Sequence, residues 1–427
     1  MVTYFQRYRR AHAGALSIFL LAALVASAVL LRAGATTAHA QEAIDSSLPA
    51  QPPPPQQRPR RVGAPAVAAP QAETNGAAGG EEVGEDEVVR VDTQLVPVPA
   101  VVRDRAGRPL ANLRAENFLI YEDGRPQRVA NFATTDVPFE VALLLDTSGS
   151  TRAELGLVRR AANLFIDALR PGDRVSLVSF NTRDEGPSKL AVVEVETPLT
   201  TDRAALRAAL DQIGASNGTP YYDAIERVVR EVFREPARGE MRGRRALVAL
   251  TDGVDSTSDA EFAEVRAEFL ASGALSYFIQ VNTEEYVENR LMQDCQDDGR
   301  LSLSRVQLQR YRRIFNPHAD AADYADFCGL GPFERMSISR ALYQLARREM
   351  TDLARASGGK AFTALDLRDA RQAFAQIAAE IGRQYSLGYY STNKARDGGF
   401  RKIRVELRGA GPGAQISARE GYQAPRS

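Results

Sequence analysis

Two unbroken apolar runs, each ending beside an acidic residue, constrain this chain more than any other feature. Val141-Ala142-Leu143-Leu144-Leu145 runs into Asp146-Thr147-Ser148-Gly149-Ser150, and Ala246-Leu247-Val248-Ala249-Leu250 runs into Thr251-Asp252-Gly253. Runs of this length without polar alternation read as strands buried on both faces, as in a parallel sheet covered by helices. In open α/β sheets the working site lies outside the carboxyl ends of the strands. Asp146, Asp252 and the hydroxyls of Ser148 and Ser150 are therefore expected to converge at one edge of one sheet. Gly218-Thr219-Pro220 lies between the runs, in a loop entering a helix, and Thr219 adds a third hydroxyl. Two carboxylates and three neutral oxygens suit a hard cation that takes octahedral oxygen ligands, Mg²⁺ first and Mn²⁺ as its substitute.

Around these runs the pattern alternates strand and helix, as in a doubly wound fold. Helices are expected over 152–169, 201–213 and 220–234, with Pro220 at a first helical position. Ser258 and Glu261 read as a capping box for the next helix. Strands are expected at 175–180, at 274–281 and near Ala361-Phe362, with an antiparallel edge strand at 191–195. A closing helix places Leu367, Ala370, Phe374, Ile377 and Ile381 on one face. Residues 284–337 interrupt the order and, following a strand end, should emerge on the same edge as Asp146 and Asp252. The flanks 88–136 and 385–427 read as strands too short to bury a core alone. They are expected to pair into one small antiparallel β-domain, with 137–384 inserted in it. Pro97 and Pro99 should interrupt the first flank strand or mark an edge.

The amino terminus has the order of an export signal: Arg7, Arg9 and Arg10, then an uncharged apolar stretch over 15–31, then Ala38-His39-Ala40. Residues 1–40 are a cleaved signal peptide or a retained anchor. Residues 41–87, with Pro52 to Pro55 and an acidic run at Glu85-Asp86-Glu87, read as a disordered tether. Lys+Arg and Asp+Glu are both 54 among 427 residues, so no net charge favours nucleic acid or an anionic membrane surface. Membrane contact is expected only through the amino-terminal segment. The chain gives no indication of oligomeric state.

Export places the folded part where disulfides persist. The two cysteines, Cys295 and Cys328, are expected to pair, with a zinc site including His318 as the alternative. The disulfide would close a loop of about 33 residues (328 minus 295), worth roughly 3–4 kcal/mol if unstrained. His318 is the one histidine outside the first 40 residues, which nearly excludes Ser-His-Asp chemistry. A strand-end aspartate could be a phosphoryl nucleophile, as in haloacid-dehalogenase-like hydrolases. Those want a second acid two residues on, where Ser148 stands. No G-x-x-x-x-G-K-[ST] loop is present. Binding rather than catalysis is expected.

The D-x-S-x-S pattern of Asp146, Ser148 and Ser150, followed by Thr219 and Asp252, resembles the metal-ion-dependent adhesion site of von Willebrand factor type A domains. The likeness covers roughly 138–384. It implies a Rossmann-like, mostly parallel sheet, with Ser148, Ser150 and Thr219 on the metal directly or through water. Asp146 and Asp252 would hold the metal directly or through bound waters. Asp255 reads as a residue behind the ligands or a helix cap. The flanks, with Val101-Val102-Arg103-Asp104, Tyr121-Glu122-Asp123-Gly124, Tyr385-Ser386-Leu387-Gly388-Tyr389-Tyr390 and Ala418-Arg419-Glu420-Gly421-Tyr422, resemble a bacterial VWFA-related family, mostly exported. The resemblance implies capture of a carboxylate on a protein or peptide partner, and a closing helix that shifts when the metal shell changes. A permanent envelope scaffold with a structural metal is the alternative, and a metallohydrolase a further one.

If residues 1–40 are a cleaved signal, amino-terminal sequencing of the mature protein will begin at Gln41. An intact Met1 in a membrane fraction indicates an anchor, and a soluble cytoplasmic form contradicts export.

Overall fold

The computed structural model describes residues 95–134, 138–151, 155–185, 188–235, 244–292 and 303–426. The expected export segment, the expected tether, the first flank residues 88–94 and Cys295 lie outside the described residues. The first flank forms β1 (Leu95–Arg103), β2 (Phe118–Glu122), β3 (Arg125–Gln127) and β4 (Val129–Ala133). The central part begins with β5 (Glu140–Leu145), α1 (Leu155–Ala168), β6 (Arg174–Glu185), β7 (Ser188–Thr200), α2 (Arg203–Gln212) and α3 (Tyr221–Arg227). It continues through β8 (Arg245–Thr251), α4 (Phe262–Ser272), β9 (Leu275–Val281), α5 (Glu284–Leu291), α6 (Arg305–Phe315) and α7 (Pro332–Ser357). It closes with β10 (Lys360–Ala364) and α8 (Leu367–Ile381). The tail forms β11 (Tyr385–Tyr390), β12 (Phe400–Leu407), β13 (Gln415–Ala418) and β14 (Gly421–Gln423).

The central sheet has the order β10-β9-β8-β5-β6-β7. Every neighbouring pair is parallel except β6 and the edge strand β7, which are antiparallel. Every residue of β5 and β8 is buried. Side chains alternate across a strand, so each apolar run serves two cores. Val141, Leu143 and Leu145 join one core with Phe165 of α1, Leu206 of α2 and Phe374 and Ile377 of α8. Ala142 and Leu144 join the other with Ile225 of α3, Phe269 of α4 and Met350 of α7. This double coverage is why neither run tolerates a polar residue until its carboxyl end.

The flanks build two four-stranded sheets, β13-β1-β11-β4 and β14-β12-β2-β3, with pairing that is antiparallel throughout. Val98, Ala100, Phe118, Ile120, Leu387 and Ile403 fill the space between them. Pro97 and Pro99 lie inside β1 rather than ending it. They pair with Gly388 and Ser386 of β11, while β13 covers only Ala100 to Arg103 on the other side. The half of β1 that holds the prolines is thus a local edge, where a missing N–H breaks no ladder.

Three local expectations change. Ser258 does not cap α4; the Glu261 position before that helix has no side-chain cap. Its Oγ instead accepts from Tyr222 N and Asp223 N, both at 3.1 Å. The orphan N–H groups of the first turn of α3 need an acceptor, and the Pro220 side chain offers none. The helix expected over 220–234 is α-helical only to Arg227 and continues as a π-turn over Val228–Val232. The interruption at 284 ends where α7 begins: Pro332 starts a 26-residue helix that packs on the sheet, so 332–337 belong to the main fold.

The β-domain and the α/β domain are joined through α8. Its Glu380, fully buried, receives Arg103 of β1 through Nε at 3.0 Å and Nη2 at 2.5 Å. Gln376 Nε2 also donates to it at 3.1 Å. Arg244, buried against the Phe139 ring, donates to the Gln384 carbonyl at 2.9 Å, just before β11. Replacing Arg103 by Ala would leave a buried carboxylate without its cation. We expect a loss of roughly 3–5 kcal/mol in urea unfolding. A change within about 0.5 kcal/mol, the range of an ordinary surface substitution, would show that this pair does not hold α8.

Candidate metal centre

β5 and β8 are neighbours in register, with Leu145 opposite Leu250, so their terminal loops leave the sheet side by side. The Asp146 N–H donates to the Leu250 carbonyl at 3.0 Å, which brings the first acid beside the end of β8. Thr151 Oγ1 folds the 146–151 loop back, donating to the Asp146 carbonyl at 2.9 Å. The Thr147 carbonyl accepts from Ser216 N at 2.7 Å, which draws in the loop that carries Thr219. Gly253 turns the chain after Asp252 at φ +73°, and a Cβ there would meet the Met350 side chain at 2.5 Å. The positive φ favours glycine, and any side chain there would also have to displace the end of Met350.

Four of the five expected residues are linked by hydrogen bonds, and Thr219 shares a cavity with two of them. Asp146 Oδ1 accepts from Ser148 N at 3.0 Å, and Ser148 Oγ lies 3.2 Å from Ser150 Oγ. Ser150 Oγ donates to Asp252 Oδ2 at 2.8 Å. Thr219 is held by its backbone: its N–H donates to Ser256 Oγ at 2.8 Å, and its carbonyl accepts from Ser256 N at 3.0 Å. Its side chain does not serve as the cap of α3, whose acceptors are Ser258 and Asp255. Thr219, Ser150 and Asp252 line one cavity of ≈ 160 Å³.

Electrostatics sets the character of the site. Asp146 and Asp252 are each at most 4% exposed. Burial, and then the charge of Asp252, push the Asp146 carboxyl up to about 7, against the hydrogen bonds from Ser148 and Thr251. Burial likewise raises Asp252, against bonds from Thr283, Val254 and Ser150. Among the described residues no cationic side chain forms an ion pair with either acid. Two buried like charges without compensation are costly, and the groups facing them are hydroxyls able to turn a lone pair inward. This donor set fits a hard divalent cation.

Sequence reasoning missed the groups that aim the carboxylates. Thr251 Oγ1 donates to Asp146 Oδ2 at 2.6 Å and accepts from Gly253 N at 2.8 Å. Thr283, between β9 and α5 at the cap position of that helix, donates to Asp252 Oδ2 at 2.6 Å and lies 2.7 Å from the Tyr343 hydroxyl of α7. Thr251 had a visible signal, as the first polar residue after a buried run. Thr283 carried no such signal, because Gln280 and Asn282 precede it, and only the adjacency of β9 to β8 gives it meaning.

Asp255 points away from the five oxygens. It accepts from Tyr222 N at 3.2 Å and from Ser258 N at 3.3 Å, as a cap. It also accepts from Arg310 Nη1 of α6 at 3.0 Å. Both charges are buried, and the Arg310 guanidinium stacks 4.6 Å over the Tyr222 ring. Ser304, the cap of α6, donates to the Ser256 carbonyl at 2.5 Å. The interrupting segment is therefore tied to the Thr219 loop by two routes, one through Asp255 and one through Ser256. Cys328 stands in the short helical turn Phe327–Gly329; its expected partner Cys295 lies outside the described residues.

Residues 141–254 match the family model of the von Willebrand factor type A domain. No curated protein matches the chain. Among solved structures, the conserved hypothetical protein BatB from Bacteroides thetaiotaomicron is similar at 16% identity and TM-score 0.34, over 57% of this chain and 98% of its own. A von Willebrand factor type A protein from Catenulispora acidiphila is similar at 12% identity and TM-score 0.35, over 79% of this chain and 75% of its own. Proximal thread matrix protein 1 from the mussel byssus, described with a zinc-occupied MIDAS motif, is similar at 17% identity and TM-score 0.29. That match covers 35% of this chain and 40% of the mussel protein.

The raised carboxyls give a signed pH dependence. A carboxyl whose folded pKa is raised stabilises the fold while protonated, and the contribution is lost as pH climbs from about 4 toward about 7. Glu349, buried beside the Tyr222 hydroxyl and pushed up to about 7, adds the same sign. In chelator, the protein should therefore melt at a lower temperature at pH 8 than at pH 5. Asp146→Asn should flatten that slope while leaving the Glu349 share. Identical slopes in wild type and variant would contradict the assignment of Asp146.

Proposed function

On the premise that this chain carries a von Willebrand factor type A domain, we propose that it is an exported, metal-ion-dependent binding protein. It captures an acidic group of a protein or peptide partner. One observation carries this reading: two buried carboxylates, with no cationic partner among the described residues, stand beside hydroxyls, and Asp252, Ser150 and Thr219 border a cavity. Asp146, Ser148, Ser150, Thr219 and Asp252 would hold Mg²⁺ or Mn²⁺. The ion, when bound, supplies positive charge for an incoming carboxylate. The chain's own part is to keep that charge unspent. Neutral hydroxyls donate electron pairs without neutralising, and Thr251 and Thr283 fix the two acids by hydrogen bonds of 2.6 Å.

The same geometry speaks for binding over turnover. Asp255, an acid close in sequence to Asp252, is occupied by Arg310 and by the cap of α3. His318 is exposed and lies on the interrupting segment. Export rests on the order of residues 1–40; among the described residues no helix is long and apolar enough to cross a membrane. An envelope scaffold holding a structural metal is the competing reading, favoured by the depth at which Asp146 and Ser148 are buried.

Calorimetry with Mg²⁺ and Mn²⁺ on wild type and Asp146→Ala tests the site. Capture of partners from envelope extract, with and without chelator, tests its use. We expect one divalent ion per wild-type chain, binding weakened at least about a hundredfold in the variant, a loss of about 2.7 kcal/mol, and capture abolished by chelator. Equal binding by both proteins would overturn the ligand assignment. Metal binding with chelator-insensitive capture would favour the scaffold.

A further inference from the structure

The cavity beside Asp252 has a mixed lining. Ser150, Thr219 and Asp252 border it together with an apolar group, Val254 after β8, Val287 and Leu291 of α5, Leu303 before α6 and Leu342 of α7, and with polar side chains that include Ser304, Gln307 and Tyr343. The apolar group is a product of the interrupting segment, whose Leu291, Leu303 and Leu308 share a small core with Ile338 and Leu342. That core is pinned over the site by the buried Arg310–Asp255 pair and the Ser304–Ser256 bond. The apolar wall is thus held in place beside the acids.

Size limits what can enter. At ≈ 160 Å³ the cavity is close to the engineered cavity of about 150 Å³ that takes up one benzene. Its enclosed part holds about one side chain, and the rest of a peptide would lie in the opening outside it. A ligand that meets the metal charge and the apolar wall together must carry a carboxylate and an apolar group within one residue. A chain terminus does so, because its α-carboxylate and its side chain leave the same carbon. A carboxylate also has a second oxygen to satisfy, and Thr257 Oγ1, in the lining, is buried without a hydrogen-bond partner.

We infer that this cavity receives the carboxy-terminal residue of a partner protein, one with an aliphatic or aromatic side chain. The α-carboxylate faces the metal centre and the side chain rests against Val287, Leu291, Leu303 and Leu342. The inference rests on the metal-dependent reading above and narrows its ligand from any acidic group to a chain end.

Calorimetry on the mature protein in saturating Mg²⁺ tests it with acetyl-Gly-Gly-Leu, its carboxamide, acetyl-Gly-Gly-Gly, free leucine and a doubly capped Gly-Asp-Gly. The leucine peptide is expected to bind at least about tenfold tighter than the glycine peptide, the return on burying one aliphatic side chain. Its binding should vanish on amidation or with chelator. Val287→Phe, which fills the cavity from a half-buried position, should keep Mg²⁺ affinity and bring the leucine peptide down to the glycine level. Equal binding of acid and amide, or of leucine and glycine termini, overturns the inference. Equal binding of free leucine overturns the choice of a protein chain end. Magnesium-dependent binding of capped Gly-Asp-Gly without preference for the leucine terminus overturns the inference and leaves the acidic-group reading intact. Absence of Mg²⁺ binding removes both.

Discussion

Everything at the working edge of this molecule follows from placing two carboxylates side by side in a buried position. Adjacent parallel strands in register do this without choice: where β5 and β8 end together, Asp146 and Asp252 leave together. The cost of desolvating two like charges is large. The surroundings reduce it only in part, through single hydrogen bonds from Thr251, Thr283, Ser150 and backbone N–H groups. A chain that needed only stability would do better with apolar residues there. The arrangement makes sense if a divalent cation completes it, and the ring of hydroxyls makes sense if that cation is to keep charge for something else.

What was legible in the sequence was what depends on local pattern. The runs before Asp146 and Asp252 were readable because burial on both faces forbids polar residues over their whole length. The D-x-S-x-S spacing was readable because one tight loop brings its three side chains together. Thr219 was readable from its loop between the two runs, and the joined flanks from strands too short to bury a core alone; the likeness to type A domains then gave these residues a common role. What was hidden depends on distant parts of the chain meeting. Ser258 was read as the cap of its own helix, and it caps α3 instead, because Pro220 leaves that helix without an acceptor. Asp255 gave no hint of Arg310, which is far along the chain and arrives only when α6 folds over the Thr219 loop. Pro97 and Pro99 were read as an interruption or an edge; the edge reading holds because β13 stops short of them, a fact of register rather than of composition.

The same logic connects the site to the β-domain. α8 packs on the sheet face beneath the metal loops, and its last turn is gripped by Arg103 of β1 before the chain enters β11. Ser150 borders a second cavity, shared with Thr283 and with Asp366 and Ala370 at the start of α8. One end of α8 therefore adjoins Ser150 and Thr283, and the other is bolted to the β-domain by a buried ion pair. A change at Ser150 that moved α8 would have to carry Arg103 and β1 with it or break that pair.

The central claim is that one divalent ion sits among these five side chains. Anomalous scattering at the manganese edge, from crystals of the mature protein grown with Mn²⁺, tests it most directly. The account predicts one strong peak within coordinating distance of Asp146, Ser148, Ser150, Thr219 and Asp252, directly or through ordered waters. The absence of any peak between Asp146 and Asp252, or a fully occupied ion held by other residues, would contradict it.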